Sequence, residues 1–275
     1  MADWAAAIDG YLARYPNRRT RREVARILGA WRAADGDAGR LPATWGPATR
    51  RVALVHIRAF TAWAAAQGYR VPAAPAGALP QVPVLQPRAI PAPDLDRLRA
   101  AMRQEPEPWR TYWALLDELG LRETEALGLR VGDVSWQRGQ EALTIIGKGG
   151  KLRSLPLLPS LRVWRLLKAR TRDRFPGAYV LALKDPAGPP PTANAARARF
   201  RRLQERAGLL EPDGRPRYHI HQLRHSAAAR WLGQGMDLRA VQRLLGHASL
   251  QVTSVYLQTD DAFVRAELER AERGR

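Results

Sequence analysis

Apolar residues recur at three-to-four spacing through the first quarter of the chain. The runs WAAAIDGYLARY, RREVARILGAWRAA and ATRRVALVHIRAFTAWAAAQG each predict an amphipathic helix with Arg on the remaining face. Thr44 and Pro47 suit the N-cap and an early position of the third helix, and Gly68 suits its end. His56 falls on the apolar stripe of that helix, where a core histidine is expected rather than a ligand. From Pro72 to Pro93 proline recurs too often for a helix or a central strand, so a semi-extended linker is expected there. The helical period then returns in PDLDRLRAAMRQ and PWRTYWALLDELG, the second stopped by Gly120. In GLRETEALGLRVGDVSW, Arg122 follows that stop, Glu125 lies one turn on, and Leu127 and Leu129 are expected to anchor the turn in a core.

Between residues 134 and 158 the period changes. ALTII and RSLPLL are β-like runs on either side of GKGGK, which predicts a small antiparallel sheet with a glycine-rich hairpin. LPSLRVWRLLKARTRDRF and NAARARFRRLQERAG then read as basic amphipathic helices separated by the loop DPAGPPPT. Such faces suit phosphate tracking, with calmodulin-like or membrane-surface binding as alternatives. The pattern as a whole predicts a mainly α protein with a small antiparallel β-sheet, an α+β fold.

Composition narrows the function. A chain of 275 residues with 45% apolar content supports two modest cores. No apolar run reaches spanning length, and the N-terminus lacks a basic region before a long apolar one, so neither a membrane span nor a secretory signal is expected. Cysteine is absent, which removes thiolate catalysis and thiolate metal sites and favours a cytoplasmic setting. The net charge of +19 suits a polyanionic partner, drawn in by counterion release. Arg18, Arg19, Arg21, Arg22, Arg50 and Arg51 are the N-terminal candidates for phosphate contacts; the alternative is that they simply line solvated faces.

The candidate chemistry lies late in the chain. Lys148, Lys151, Lys168 and Lys184 are the only lysines among many arginines. A lysine gives up a proton near neutral pH and an arginine does not, so a lysine in GKGGK suits proton donation, or else merely decorates a turn. A phosphate-binding P-loop is rejected, because GKGGK lacks the following Ser or Thr and precedes a strand. In HIHQLRH, His221 and Arg224 are three apart and share one face of a helix. RAVQRLLGHAS ends a further helix at Gly246 with His247 beside it, and Tyr256 follows nine positions later (256 − 247 = 9). His219 and His225 are expected to point elsewhere in structural roles.

Together GLRETEALGLRVGDV, GKGGKLRSLPL, HQLRHSAA, LLGHAS and the tyrosine in VTSVYLQ, in this order over roughly residues 88 to 260, resemble the tyrosine recombinase, or phage integrase, family. The resemblance implies a compact Xer-like build. Its parts are a helical SAM-like core-binding domain over residues 1–75, a proline-rich linker over 76–93 and a catalytic domain over 94–275, closing as a clamp around DNA. It implies that Tyr256 is the nucleophile that forms a 3′-phosphotyrosyl link, and that Arg122 and Arg224 hold the non-bridging oxygens. Lys148 matches the general acid, with Lys151 as the fallback. His221 and His247 match proton-transfer and hydrogen-bonding positions, and Glu125 matches a supporting acid. No metal, cofactor or ATP is implied. The implied partner is double-stranded DNA, bound by a homotetramer or by a heterotetramer with a related recombinase, at the nucleoid in the cytoplasm. A type IB topoisomerase-like enzyme and a non-cutting DNA-binding protein are the competing readings.

Overall fold

The computed structural model describes residues 4–81, 88–147 and 152–246. The chain divides into two compact units, Met1–Leu85 and Gln86–Arg275.

The first unit holds α1 (Trp4–Ala13), α2 (Arg18–Ala33) and α3 (Pro47–Ala66), with a 3₁₀ turn at Ala38–Arg40. On α2, Val24, Ile27, Leu28 and Trp31 stand at i, i+3, i+4 and i+7, and all four are fully buried. Burying each such side chain contributes about 1.5–3 kcal/mol. Trp31 and Tyr11 both meet Phe60 of α3 edge-on, at centroid distances of 6.1 and 5.3 Å. Helix α3 begins at Pro47, so the position before it is Gly46, which has no side chain to cap with; Thr44 lies too early in the chain to serve. Gly68, at φ +76°, ends the helix as its position suggests. His56 is half-buried at the margin of the α3 stripe rather than in the core.

The second unit holds α4 (Ala92–Arg103), α5 (Trp109–Leu119), α6 (Glu123–Gly128), β1 (Val134–Ser135), β2 (Ala142–Ile146), β3 (Leu152–Pro156), α7 (Arg162–Thr171), α8 (Ala193–Arg206), α9 (His221–Gly233) and α10 (Leu238–Leu245). The expected amphipathic helix α5 proves to be buried along nearly its whole length, from Trp109 to Leu119, because α9, α7, α6 and α4 all pack against it. Arg99 of α4 grips the buried Asp117 of α5 with two hydrogen bonds of 2.9 Å. Ser226 of α9 accepts the Ile90 N–H at 2.9 Å, and Gln222 donates to the Arg88 carbonyl at 3.2 Å, so the strand of chain entering α4 is pinned to α9.

The sheet is antiparallel in the order β1-β2-β3. Its register pairs Leu143 with Leu155 and Ile145 with Arg153. Leu143, Ile145 and Leu155 are buried, and Arg153 continues that inward-facing row near the start of β3. An arginine therefore occupies a place where the alternation calls for an apolar side chain.

Candidate active site

Three chain segments deliver charged side chains to the C-terminal end of α10, and local sequence explains how each arrives. Gly120 ends α5 in the left-handed conformation at φ +59°. A Cβ there would come within 3.2 Å of Trp231 and 3.3 Å of Leu245, so only glycine lets the chain turn this tightly beneath α9 and α10. Arg122 emerges two residues later as the N-cap of α6. Glu125, on the first turn of α6, accepts the Arg122 N–H at 2.8 Å, as an acid at this position of a helix start commonly does.

Glu125 is the hub. Its carboxylate also accepts from Arg122 Nη1 at 2.8 Å and from both terminal nitrogens of Arg153, at 2.9 and 2.7 Å, while Arg224 Nη1 lies 3.9 Å away. Burial alone would raise its pKa, but the hydrogen bonds from Arg153, the Arg122 backbone and the Arg122 guanidinium outweigh that and pull it down to about 2. Glu125 is thus a fixed negative charge among three positive ones, leaving two positive charges in excess (3 − 1 = 2).

The last carbonyls of a helix have no partners within it and carry partial negative charge. Those of α10 are met by guanidinium groups. Arg153 Nε donates to the Leu244 carbonyl at 3.0 Å, Arg224 Nη2 donates to that of Leu245, Arg122 Nη1 reaches Leu245 at 3.4 Å, and Arg122 Nη2 reaches Gly246 at 3.5 Å. Arg224 is only 2% exposed and donates in addition to the Gly120 carbonyl at 2.6 Å. Arg122 differs from it, since 36% of its side chain stays open to solvent.

His221 opens α9 one turn before Arg224 and keeps an exposed edge. Partial burial lowers its pKa below the ordinary value, and the charges of Arg224 and Arg122 lower it further against the pull of Glu125, so the neutral imidazole prevails at physiological pH. His225 does not point elsewhere as expected. It lies one turn further along α9, and its ring stands edge-on to that of His221 at 4.6 Å. His219 is exposed, and its N–H donates to Gln222 at 2.8 Å.

Lys148, Lys151, His247 and Tyr256 lie outside the described residues. Arg153 was not singled out in the sequence, although its inward position on β3 follows from the alternation of Leu155 and Leu157. Among the described residues no group of three or more His, Asp or Glu side chains is gathered as a metal site would require. No helix among them is long and apolar enough to cross a membrane.

In the first unit the candidate phosphate ligands divide. Arg18, Arg22 and Arg51 are exposed, with Arg51 donating to the Pro80 carbonyl at 3.2 Å. Arg21 is exposed but tied to the Tyr15 carbonyl at 2.9 Å. Arg50 is half-buried and donates to the carbonyls of Trp45, Leu41 and Pro42, which makes it a brace for the loop before α3. The side chain of Arg19 lies outside the described residues.

The model of the phage integrase family matches residues 88–262. The tyrosine recombinase XerC of Rhodospirillum centenum is 36% identical over 94% of this chain and 77% of its own length. That of Mycobacterium tuberculosis is 33% identical over 89% of this chain and 82% of its own length. Among solved structures, the XerH site-specific recombinase bound to a palindromic difH substrate, in a post-cleavage complex, superimposes with a TM-score of 0.67 at 18% identity, covering 92% of this chain and 80% of that one. At that identity the likeness is one of fold.

Proposed function

The chain belongs to the phage integrase family and is a site-specific tyrosine recombinase that cuts and rejoins DNA, and from that premise we propose how its own residues divide the work. The observation that carries the proposal is the convergence of Arg122, Arg224, Glu125 and His221 on the end of α10, immediately before His247.

Tyr256 supplies the nucleophile. Its phenolic oxygen attacks the scissile phosphorus, the bond to the 5′-oxygen breaks, and a 3′-phosphotyrosyl link remains. His221, held neutral by its surroundings, accepts the phenolic proton. Lys148 donates a proton to the departing 5′-oxygen, with Lys151 as the fallback donor from the same turn. Arg122 and Arg224 hold the non-bridging oxygens, where charge builds in the five-coordinate transition state, and His247 adds a further hydrogen bond. Glu125 keeps both arginines in register. The phosphodiester energy is conserved in the tyrosyl link, so attack by a second strand's 5′-hydroxyl reverses the sequence without ATP.

DNA is the partner that the relatives and the charge of +19 support. Our reading adds that residues 1–75 form a core-binding domain which, with the catalytic part, closes as a clamp on the duplex through Arg18, Arg22 and Arg51. It adds further that four protomers, identical or paired with a related recombinase, act on two synapsed sites at the nucleoid. The relatives do not favour a type IB topoisomerase or a non-cutting binder.

A nicked suicide substrate tests the assignment. Wild-type protein is expected to trap a covalent DNA adduct that Tyr256→Phe does not form. An adduct from the Phe variant, or relaxation of an arbitrary plasmid by protein dilute enough to be monomeric, would overturn it.

A further inference from the structure

We propose that Arg153 is a positioning residue for the cleavage step, acting on Arg122 through Glu125. The inference rests on the assignment of Arg122 as a ligand of the scissile phosphate.

Arg153 joins three elements. From β3 its two terminal nitrogens take both oxygens of Glu125 on α6, and its Nε takes the Leu244 carbonyl at the end of α10. Only 11% of its side chain is exposed. Gly246 is shaped around it. A Cβ on that residue, at φ +65°, would stand 3.0 Å from Arg153 Cδ and 3.1 Å from Nη1. A planar fork held at its end by a carboxylate and at Nε by a carbonyl, with Gly246 packed close against it, is a rigid part rather than an incidental surface contact.

This rigidity controls what Glu125 does to Arg122. A carboxylate beside an arginine tends to take two of its nitrogens at once, and an arginine so engaged has fewer donors for a phosphate. Here Arg153 donates to both carboxylate oxygens and the Arg122 backbone N–H donates to one of them as well, so of the Arg122 guanidinium nitrogens Glu125 receives only Nη1. The other terminal nitrogen of Arg122 makes just a long 3.5 Å contact with the Gly246 carbonyl, on a side chain that is 36% exposed. Arg153 thereby keeps the outer edge of Arg122 turned toward the position of the DNA. Without it, the Glu125 carboxylate, held then by the Arg122 backbone N–H and Nη1, would turn to engage both terminal nitrogens of Arg122 and draw that edge inward.

The test compares cleavage of an ordinary suicide substrate with cleavage of the same DNA carrying a methylphosphonate at the scissile position, which has one charged non-bridging oxygen fewer and leans less on Arg122. Arg153→Gln is expected to slow single-turnover cleavage of the phosphodiester by about tenfold or more. It should slow the methylphosphonate far less and leave DNA affinity unchanged. Arg153→Lys, which keeps a charge but not the fork, is expected to fall between the two proteins. Equal slowing of both substrates, a loss explained by weaker DNA binding, or wild-type cleavage would overturn the inference. Should Arg153→Gln fail to fold, the same substrate comparison with Arg153→Lys decides. Arg122→Gln separates the two levels of the argument. If it cleaves the phosphodiester at the wild-type rate, the assignment of Arg122 fails; if it is impaired while the Arg153 variants are not, only the role of Arg153 fails.

Discussion

Arg122 and Arg224 meet on one main-chain oxygen. The Leu245 carbonyl accepts a hydrogen bond from Arg224 and lies 3.4 Å from Arg122 Nη1, although the two arginines stand about a hundred positions apart in the chain. Two guanidinium groups at one carbonyl repel each other, and Glu125 beside both offsets that repulsion. The pair is therefore assembled before DNA arrives. On the proposed assignment, a phosphate entering beside α10 would exchange a neutral carbonyl acceptor for a charged one, which is the stronger partner.

The two arginines are expected to respond differently to substitution. Arg122→Gln should cut suicide-substrate cleavage by about 10²- to 10³-fold with little loss of stability, since its side chain is partly open to solvent. Arg224→Gln should show a comparable loss of rate and also unfold at lower urea, by about 1–3 kcal/mol, because the buried Gly120 and Leu245 carbonyls lose a charged donor. Cleavage rates paired with urea midpoints separate the two; equal midpoints for both variants would contradict the burial argument.

The acid side of the stability profile should report Glu125. Its folded pKa of about 2 lies below the ordinary 4.5, so the unfolded chain binds the proton first as pH falls. The stabilisation is complete above pH 4.5 and is lost as pH drops toward 2. The gap in unfolding free energy between wild type and Glu125→Gln is expected to be widest above pH 4.5 and to narrow steadily below it, as followed by urea titration at a series of pH values. A gap independent of pH would show that the carboxylate charge is not what holds the cluster.

The His221 imidazole should titrate below 6.5 in the free protein, as read from its ring-proton shifts by NMR. Burial and the two arginine charges disfavour the protonated form, and Glu125 alone among the named groups favours it. Glu125→Gln is therefore expected to lower the His221 midpoint further. A rise in that variant would contradict the arrangement of charges around α9.

DNA binding should weaken steeply with salt, and the N-terminal arginines should divide in the assay. Arg22→Gln, which removes an exposed charge, is expected to reduce the slope of log affinity against log salt by about 0.9. Arg50→Gln should leave the slope unchanged and lower stability instead, because that side chain is spent on the carbonyls of Leu41, Pro42 and Trp45. Identical slopes for wild type and Arg22→Gln would remove Arg22 from the interface.

Two glycines offer a contrast in stability. Gly246→Ala is expected to cost about 1–2 kcal/mol for the left-handed conformation alone, and to disturb Arg153 as well. Gly29→Ala, in mid-helix with open space around it, should stabilise by about 0.5–1 kcal/mol. Urea denaturation of both variants checks the signs.

The amino-acid sequence by itself determined the elements and their punctuation. Residue spacing along one chain reports local periodicity, so the helices of the first unit, the stop at Gly120, the hairpin and the end of α10 at Gly246 were all readable from it. The order of motifs was enough to identify the family and to nominate Arg122, Glu125, His221 and Arg224. Tertiary structure decided which polar groups each of them meets. Thr44 lost the cap to Gly46 because Pro47 sets the helix start, His225 turned toward His221, and Arg50 became a brace rather than a free charge. Arg153 went unnoticed because an arginine in a basic chain looks like any other until the register of β3 points it inward, onto a carboxylate from α6 and a carbonyl from α10. Local pattern encodes which way a side chain faces, whereas its partners come from segments far away in the chain, and only packing brings those within hydrogen-bond reach.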